Sequence, residues 1–138
     1  MCLITDGKRV LVGKNHDSVK NEDFYRVLGG SLHFGETVKD GMLREIKEEL
    51  NCGIEDLRLA DVIEHLFIYE GDKGHEIIFL FQGTLSDQKL HEKDTVHIVE
   101  DSYEFDAEWV SIDDIVDKKA RLYPEYDYSK ILRLRQEI

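Results

Sequence analysis

The run from Gly29 to Ile54, GGSLHFGETVKDGMLREIKEELNCGI, joins a glycine-rich turn to a stretch carrying Arg44, Glu45, Glu48 and Glu49. Residues three and four apart on a helix share a face, so Glu45, Glu48 and Glu49 form one group of carboxylates. Like charges this close repel unless something cationic sits among them. Hard divalent ions such as magnesium prefer carboxylate and carbonyl oxygens, and usually sit between one or two protein carboxylates and a substrate's phosphates. These residue types therefore suggest metal-assisted work on a phosphate compound.

A helix has to position those acids. At about 100° per residue, Val38, Met42, Leu43, Ile46 and Leu50 make one apolar stripe; Glu45 and Glu49 border or enter it, and Glu48 lies further round. An acidic helix face usually just meets water, but carboxylates set into a buried edge are costly unless paired or metal-bound. Thr37 followed by Asp40 reads as a capping box, and Asn51 or Gly53 suits the left-handed residue that ends a helix. Gly41 inside the helix costs about 1 kcal/mol relative to alanine, which suggests that tight packing demands its missing side chain.

The spacing resembles the Nudix box, G-x5-E-x7-R-E-U-x-E-E-x-G-U with U aliphatic. Gly30, Glu36, Arg44, Glu45, Ile46, Glu48 and Glu49 occupy its fixed positions. Asn51 replaces the late glycine and Cys52 the final aliphatic residue. Asparagine tolerates positive φ and cysteine behaves as a small apolar residue, so neither change removes a metal-binding group.

In that family the box binds magnesium or manganese and hydrolyses a nucleoside diphosphate linked to another moiety. The resemblance implies Mg2+, with Mn2+ as the alternative, held by Glu45, Glu48, Glu49 and the carbonyl of Gly29. It implies that Arg44 orients the neighbouring glutamate, that Glu36 steadies the loop, and that Glu48, Glu45 and Arg44 serve catalysis. It also implies a general base outside the box. The segment between Ser86 and Trp109 offers Glu92, Glu100, Asp101, Glu104 and Glu108. Glu104 or Glu100 is preferred, since both precede the Trp109-Val110 strand much as in the acid-bearing loop of the dGTP-cleaning members.

The 138 residues suit one domain, 1–138. A formal net charge of −12 argues against binding polymeric nucleic acid, which calls for a basic surface. It leaves room for a small anionic substrate, because bound cations invert the local sign of a site. Cys2 and Cys52 fit no disulfide framework or ligand spacing, and the longest apolar run, Ile77 to Phe81, is far too short for a membrane span. A cytoplasmic location with no membrane partner is the default expectation.

The pattern predicts strands at Met1 to Thr5 and Arg9 to Asn15, joined by a two-residue turn at Asp6-Gly7. A polar loop from His16 to Asp23 then leads to a strand at Phe24 to Leu28. After the box come two long strands, Leu57 to Tyr69 and His75 to Leu85, around a turn at Gly71 to Gly74. A strand at Tyr103 to Ser111, a short helix at Ile112 to Lys118 capped by Ser111, and a terminal helix at Tyr128 to Glu137 packing Ile131, Leu132 and Leu134 complete the chain. The fold class is α+β, and the resemblance implies a Nudix-type α/β/α sandwich, a central mixed sheet flanked by helices.

Glu64, His65, His75 and Glu76 interrupt the apolar pattern of the long strands. Either they meet water at strand ends, or Glu64 and Glu76 face a substrate cavity with His65 or His75 as polar contacts. The SQPWPFPxS motif of the NADH-cleaving members is absent, and Phe67 stands where ADP-ribose members often carry proline. Tyr69 matches a tyrosine common in members acting on dinucleoside polyphosphates, which makes it a substrate-binding candidate. The resemblance thus implies a nucleotide-type diphosphate as small-molecule partner, with a homodimer possible. A Nudix-fold binding or regulatory module without hydrolysis, or an isomerase of isopentenyl diphosphate on the same scaffold, are the competing readings.

Overall fold

The computed structural model describes residues 1–100 and 103–132. Its centre is an eight-stranded mixed sheet: β1 (Cys2–Thr5), β2 (Arg9–Asp17), β3 (Glu22–Val27), β4 (Ile54–Tyr69), β5 (Asp72–Leu85), β6 (Thr95–Glu100), β7 (Tyr103–Ser111) and β8 (Leu122–Tyr123). The helices are α1 (Val38–Leu50), α2 (Gln88–His91) and α3 (Ile112–Val116), with a 3-10 turn at Tyr128–Lys130. No helix among the described residues is long and apolar enough to cross a membrane.

Strand β2 is where the sheet forks. One edge of it pairs with β7 from Arg9 to Gly13. Its other edge takes β1 at Val10 and Leu11, and then β3 from Val12 to Asp17. Strands β1 and β3 thus lie end to end, bridged at Cys2 and Leu28. One branch continues from β1 to β5 and β4, the other from β3 to β8.

Helix α1 packs Met42, Ile46 and Leu50 on one face of the sheet against Leu11, Phe81 and Ile98. Fully burying each such side chain contributes roughly 1.5–3 kcal/mol. The opposite face is covered by Ile112, Ile115, Tyr128 and Leu132 packed on Leu3, Val10 and Leu80. Helical layers on both faces of a mixed sheet match the fold expected from the sequence.

Local details differ from expectation for identifiable reasons. The β1–β2 connection runs over the three residues Asp6, Gly7 and Lys8 rather than two, because the Asp6 carboxylate accepts from the amides of Lys8 and Arg9 and holds the wider loop. The His16–Asp23 loop shrinks, since pairing continues to Asp17 and Glu22. The long hairpin turns at Glu70-Gly71, both at positive φ, instead of at Gly71 to Gly74, because Phe67 pairs with Gly74 and Tyr69 with Asp72. Strand β6 occupies part of what read as an acidic loop, and Ser111 makes no side-chain cap for α3, which ends at Val116. The expected terminal helix is a short 3-10 turn as far as Leu132; its later part, with Leu134, lies outside the described residues.

Candidate active site

Helix α1 begins as the sequence indicates. The Thr37 side chain accepts from the Asp40 amide, and Asn51 closes the helix at φ 53°, in the left-handed region that asparagine tolerates. Glu49 is buried, Glu45 is largely so, and Glu48 stands outward with 57% of its side chain exposed, in line with the helical phase. Leu43, on the rim of the stripe, is exposed.

The cation among the carboxylates is Arg44. Its Nε and Nη2 donate to the two oxygens of Glu36 at 3.0 and 2.7 Å, a bidentate fork. Its Nη1 donates to Glu45 Oε1 and Glu48 Oε2, each at 3.2 Å, and Nη2 also reaches the Ser31 carbonyl at 3.1 Å. Glu36 in turn accepts from the His33 amide at 2.7 Å. Arg44 and then His33 hold the Glu36 carboxyl well below its ordinary value, at about 2. The glycine-rich loop is thereby lashed to the helix.

Two glycines of the box lie against side chains that a Cβ would displace. A Cβ on Gly30 would collide with the Glu45 carboxylate, and one on Gly41 with Leu32 of the loop lying across the helix. The closeness that sequence reading demanded of Gly41 is thus a loop-on-helix contact. Glu45, Glu48, Glu49 and Gly30 border one open concavity of about 530 Å³, with Val99 of β6 on its wall.

The donor chemistry here fits a hard divalent cation: carboxylate oxygens beside a loop whose missing Cβ leaves Glu45 room to stand against the backbone. In the present arrangement Arg44 bridges Glu45 and Glu48, and among the described residues no three His, Cys, Asp or Glu side chains are placed to enclose an ion.

The two base candidates fall on β6 and β7. Glu104 is exposed and its carboxylate accepts from His97 Nε2 at 3.0 Å, while His97 Nδ1 meets the Asp106 carboxylate at 3.0 Å. These contacts, Asp106 first and then Glu104, raise the His97 pKa. Glu104 pairs in register with Val99, and Glu100 closes β6 opposite Tyr103. The Glu100 side chain lies outside the described residues, as does Asp101.

The remaining candidates separate along the long hairpin. Glu76 faces His65, its Oε1 3.5 Å from His65 Nδ1, and both line a cavity between the two branches of the sheet. Glu64 does not: it faces the other side, 2.9 Å from His75 Nε2. Tyr69 lines the cavity and donates to the His16 carbonyl at 3.3 Å. Phe67, noted in the sequence only for the proline it replaces, also lines the wall, as do Phe24, Arg26 and Tyr123, which the sequence reading gave no site role. The only local signal for Phe24 and Arg26 is their two-residue spacing in β3. A second concavity, sharing Arg26 and Glu76 with the first, runs on to Gly30, Ser31 and Glu45. Arg26 and Glu76 thus border both the forked cavity and the concavity that reaches the box.

At the far end the cavity is latched. Asp17 Oδ2 accepts from the Glu70 amide at 3.2 Å, and the Ser18 amide and hydroxyl both donate to the Glu70 carboxylate. Lys20 Nζ donates to the Ile68 carbonyl at 2.7 Å.

Comparison with known proteins gives two findings. The family model described as NUDIX domain matches residues 1–130. Among solved structures, the solution structure of the E. coli ORF135 protein aligns with a TM-score of 0.48 at 17% identity, covering 98% of this chain and 82% of that one.

Proposed function

The chain belongs to the Nudix family, and from that premise we propose that it is a magnesium-dependent hydrolase cleaving the diphosphate bridge of a nucleoside diphosphate linked to a further group, with manganese as the alternative ion. Nucleoside triphosphates, nucleotide sugars and dinucleoside polyphosphates are the candidate substrates. The observation that carries this reading is the Arg44 fork, which fixes Glu36, Glu45 and Glu48 against the glycine loop, beside a concavity lined by Gly30, Ser31 and Glu45.

In this reading Glu45, Glu48, Glu49 and the Gly29 carbonyl hold the ion. When bound, the ion supplies charge neutralisation for the diphosphate and a more acidic water. Arg44 acts as a positioning residue, aiming Glu45 and Glu48, while Glu36 holds Arg44. Glu100 or Glu104 would take the proton of the attacking water. Glu104 pairs with Val99, which lines the acidic concavity, but is engaged by His97, so Glu100→Gln and Glu104→Gln are to be compared directly. Cys2 and Cys52 are free, buried thiols, which is compatible with a reducing cytoplasmic setting.

A panel of the three substrate classes, assayed with each ion and read by product mass, tests the proposal. Glu48→Gln should abolish ion-stimulated turnover; undiminished turnover in that variant would place the chemistry elsewhere. The hold of Arg44 on Glu45 and Glu48 favours one second reading, a nucleotide-binding module without hydrolysis. A nucleotide that raises the melting temperature, yet stays intact with both ions, would establish it instead.

A further inference from the structure

Building on the reading of this chain as a hydrolase of a nucleotide-type diphosphate, we infer that the forked cavity seats the aromatic ring of the substrate and that the Arg26 guanidinium grips the phosphate nearest to that ring. The cavity measures about 140 Å³, and a cavity of about 150 Å³ holds a benzene-sized ring. Its walls are rings. Phe24 and Tyr123 meet edge to face at 4.8 Å, and His65 stacks on Phe67 at 4.9 Å. Aromatic walls of this kind stack heterocyclic bases without demanding one base in particular.

Arg26 borders both this cavity and the concavity that reaches Gly30 and Glu45. Lys20 and Arg26 are the basic side chains on the cavity wall, and Met1 also lines it. Lys20 donates to the Ile68 carbonyl and the Met1 amino group to the Phe79 carbonyl. Arg26 makes no hydrogen bond or ion pair with any described residue, in a chain that holds 30 acids against 18 basic residues. A guanidinium has five donors in a planar fork that matches a phosphate's oxygens. Glu76, between the ring site and the box, is an acceptor suited to a sugar hydroxyl. In this proposal the ring lies in the forked cavity, the sugar and the Arg26-bound phosphate beside Glu76 and Arg26, and the rest of the substrate toward the box.

Calorimetric titration tests this without turnover. Wild type, Arg26→Ala, Arg26→Lys and Tyr123→Ala are titrated in EDTA with the four ribonucleoside 5′-monophosphates and the four parent nucleosides. Wild type should bind at least one monophosphate about tenfold more tightly than its nucleoside, the scale of a charge-assisted contact. Arg26→Ala should erase that preference while leaving nucleoside affinity unchanged, Arg26→Lys should keep part of it, and Tyr123→Ala should weaken both ligands. Arg26 is exposed and free of ion pairs to described residues, so its removal leaves the fold in place, which a melting curve verifies. A preference that survives in Arg26→Ala, or a wild type that shows none or binds none of the eight compounds, overturns the proposal. A chain inert toward every diphosphate in the panel, yet losing its phosphate preference in Arg26→Ala, keeps this site and removes the hydrolase. Active enzyme with an unchanged Arg26→Ala variant does the reverse.

Discussion

Arg44 and His97 each gather carboxylates, Arg44 taking Glu36, Glu45 and Glu48, and His97 taking Asp106 and Glu104. The Arg44 side chain is 21% exposed and holds a loop backbone as well as side chains. The His97 side chain is 56% exposed, its partners more so, and all three stand on one outward strand face. A guanidinium is permanently charged, whereas an imidazole carries charge only below its pKa. Both segments look equally acidic in sequence; the difference lies in the backbone each cation is tied to.

The sharpest way to break that comparison is to remove each cation. Arg44→Ala should lower turnover on the order of 10–100-fold, the usual cost of losing a group that orients ligands. His97→Ala should leave it within about twofold where Glu100 is the base, as for most surface changes, whereas a larger loss would point to Glu104, which His97 holds. Equal losses would mean that the two clusters serve one site. Next, Gly30→Ala puts a methyl group into the Glu45 carboxylate and should cost on the order of 10²-fold in turnover with the fold intact. Wild-type rates there would show that the position of Glu45 is unimportant.

Acid separates the two clusters further. The Glu36 carboxyl titrates at about 2 in the folded chain, so its contribution to stability is present above its ordinary value and is lost only as pH falls toward that point. Carboxyl-carbon NMR shifts moving near 4.5 would contradict this. The smallest effect belongs to His97. Its raised pKa makes its contribution complete below 6.5 and lost as pH rises through the folded value. The melting-temperature gap between wild type and His97→Ala should therefore be wider at pH 5 than at pH 9; the opposite order would reverse the assignment.

What could be read from the sequence was what short spacing decides. Thr37 as cap, Asn51 as left-handed stop and Glu45 with Glu49 on the buried side of α1 all follow from a 3.6-residue period. What could not be read depends on pairing between distant segments. Val96 and Ile98 of β6 are buried, but the density of acids around them masks a strand. The turn at Glu70-Gly71 is set by register along the whole hairpin. The same register turns Glu76 inward beside His65 and Glu64 outward beside His75. The forked cavity requires knowing that β1 and β3 share an edge of β2, which no local pattern contains.

The bond between Asp17 and Glu70 makes one hoop of two loops that are far apart in the chain. Hairpin tips are ordinarily where proteases nick a folded protein, since a free tip is easily drawn out straight. This tip is riveted through its own amide and carboxylate, so the longest arm of the molecule resists cutting through a residue that lies in another hairpin altogether.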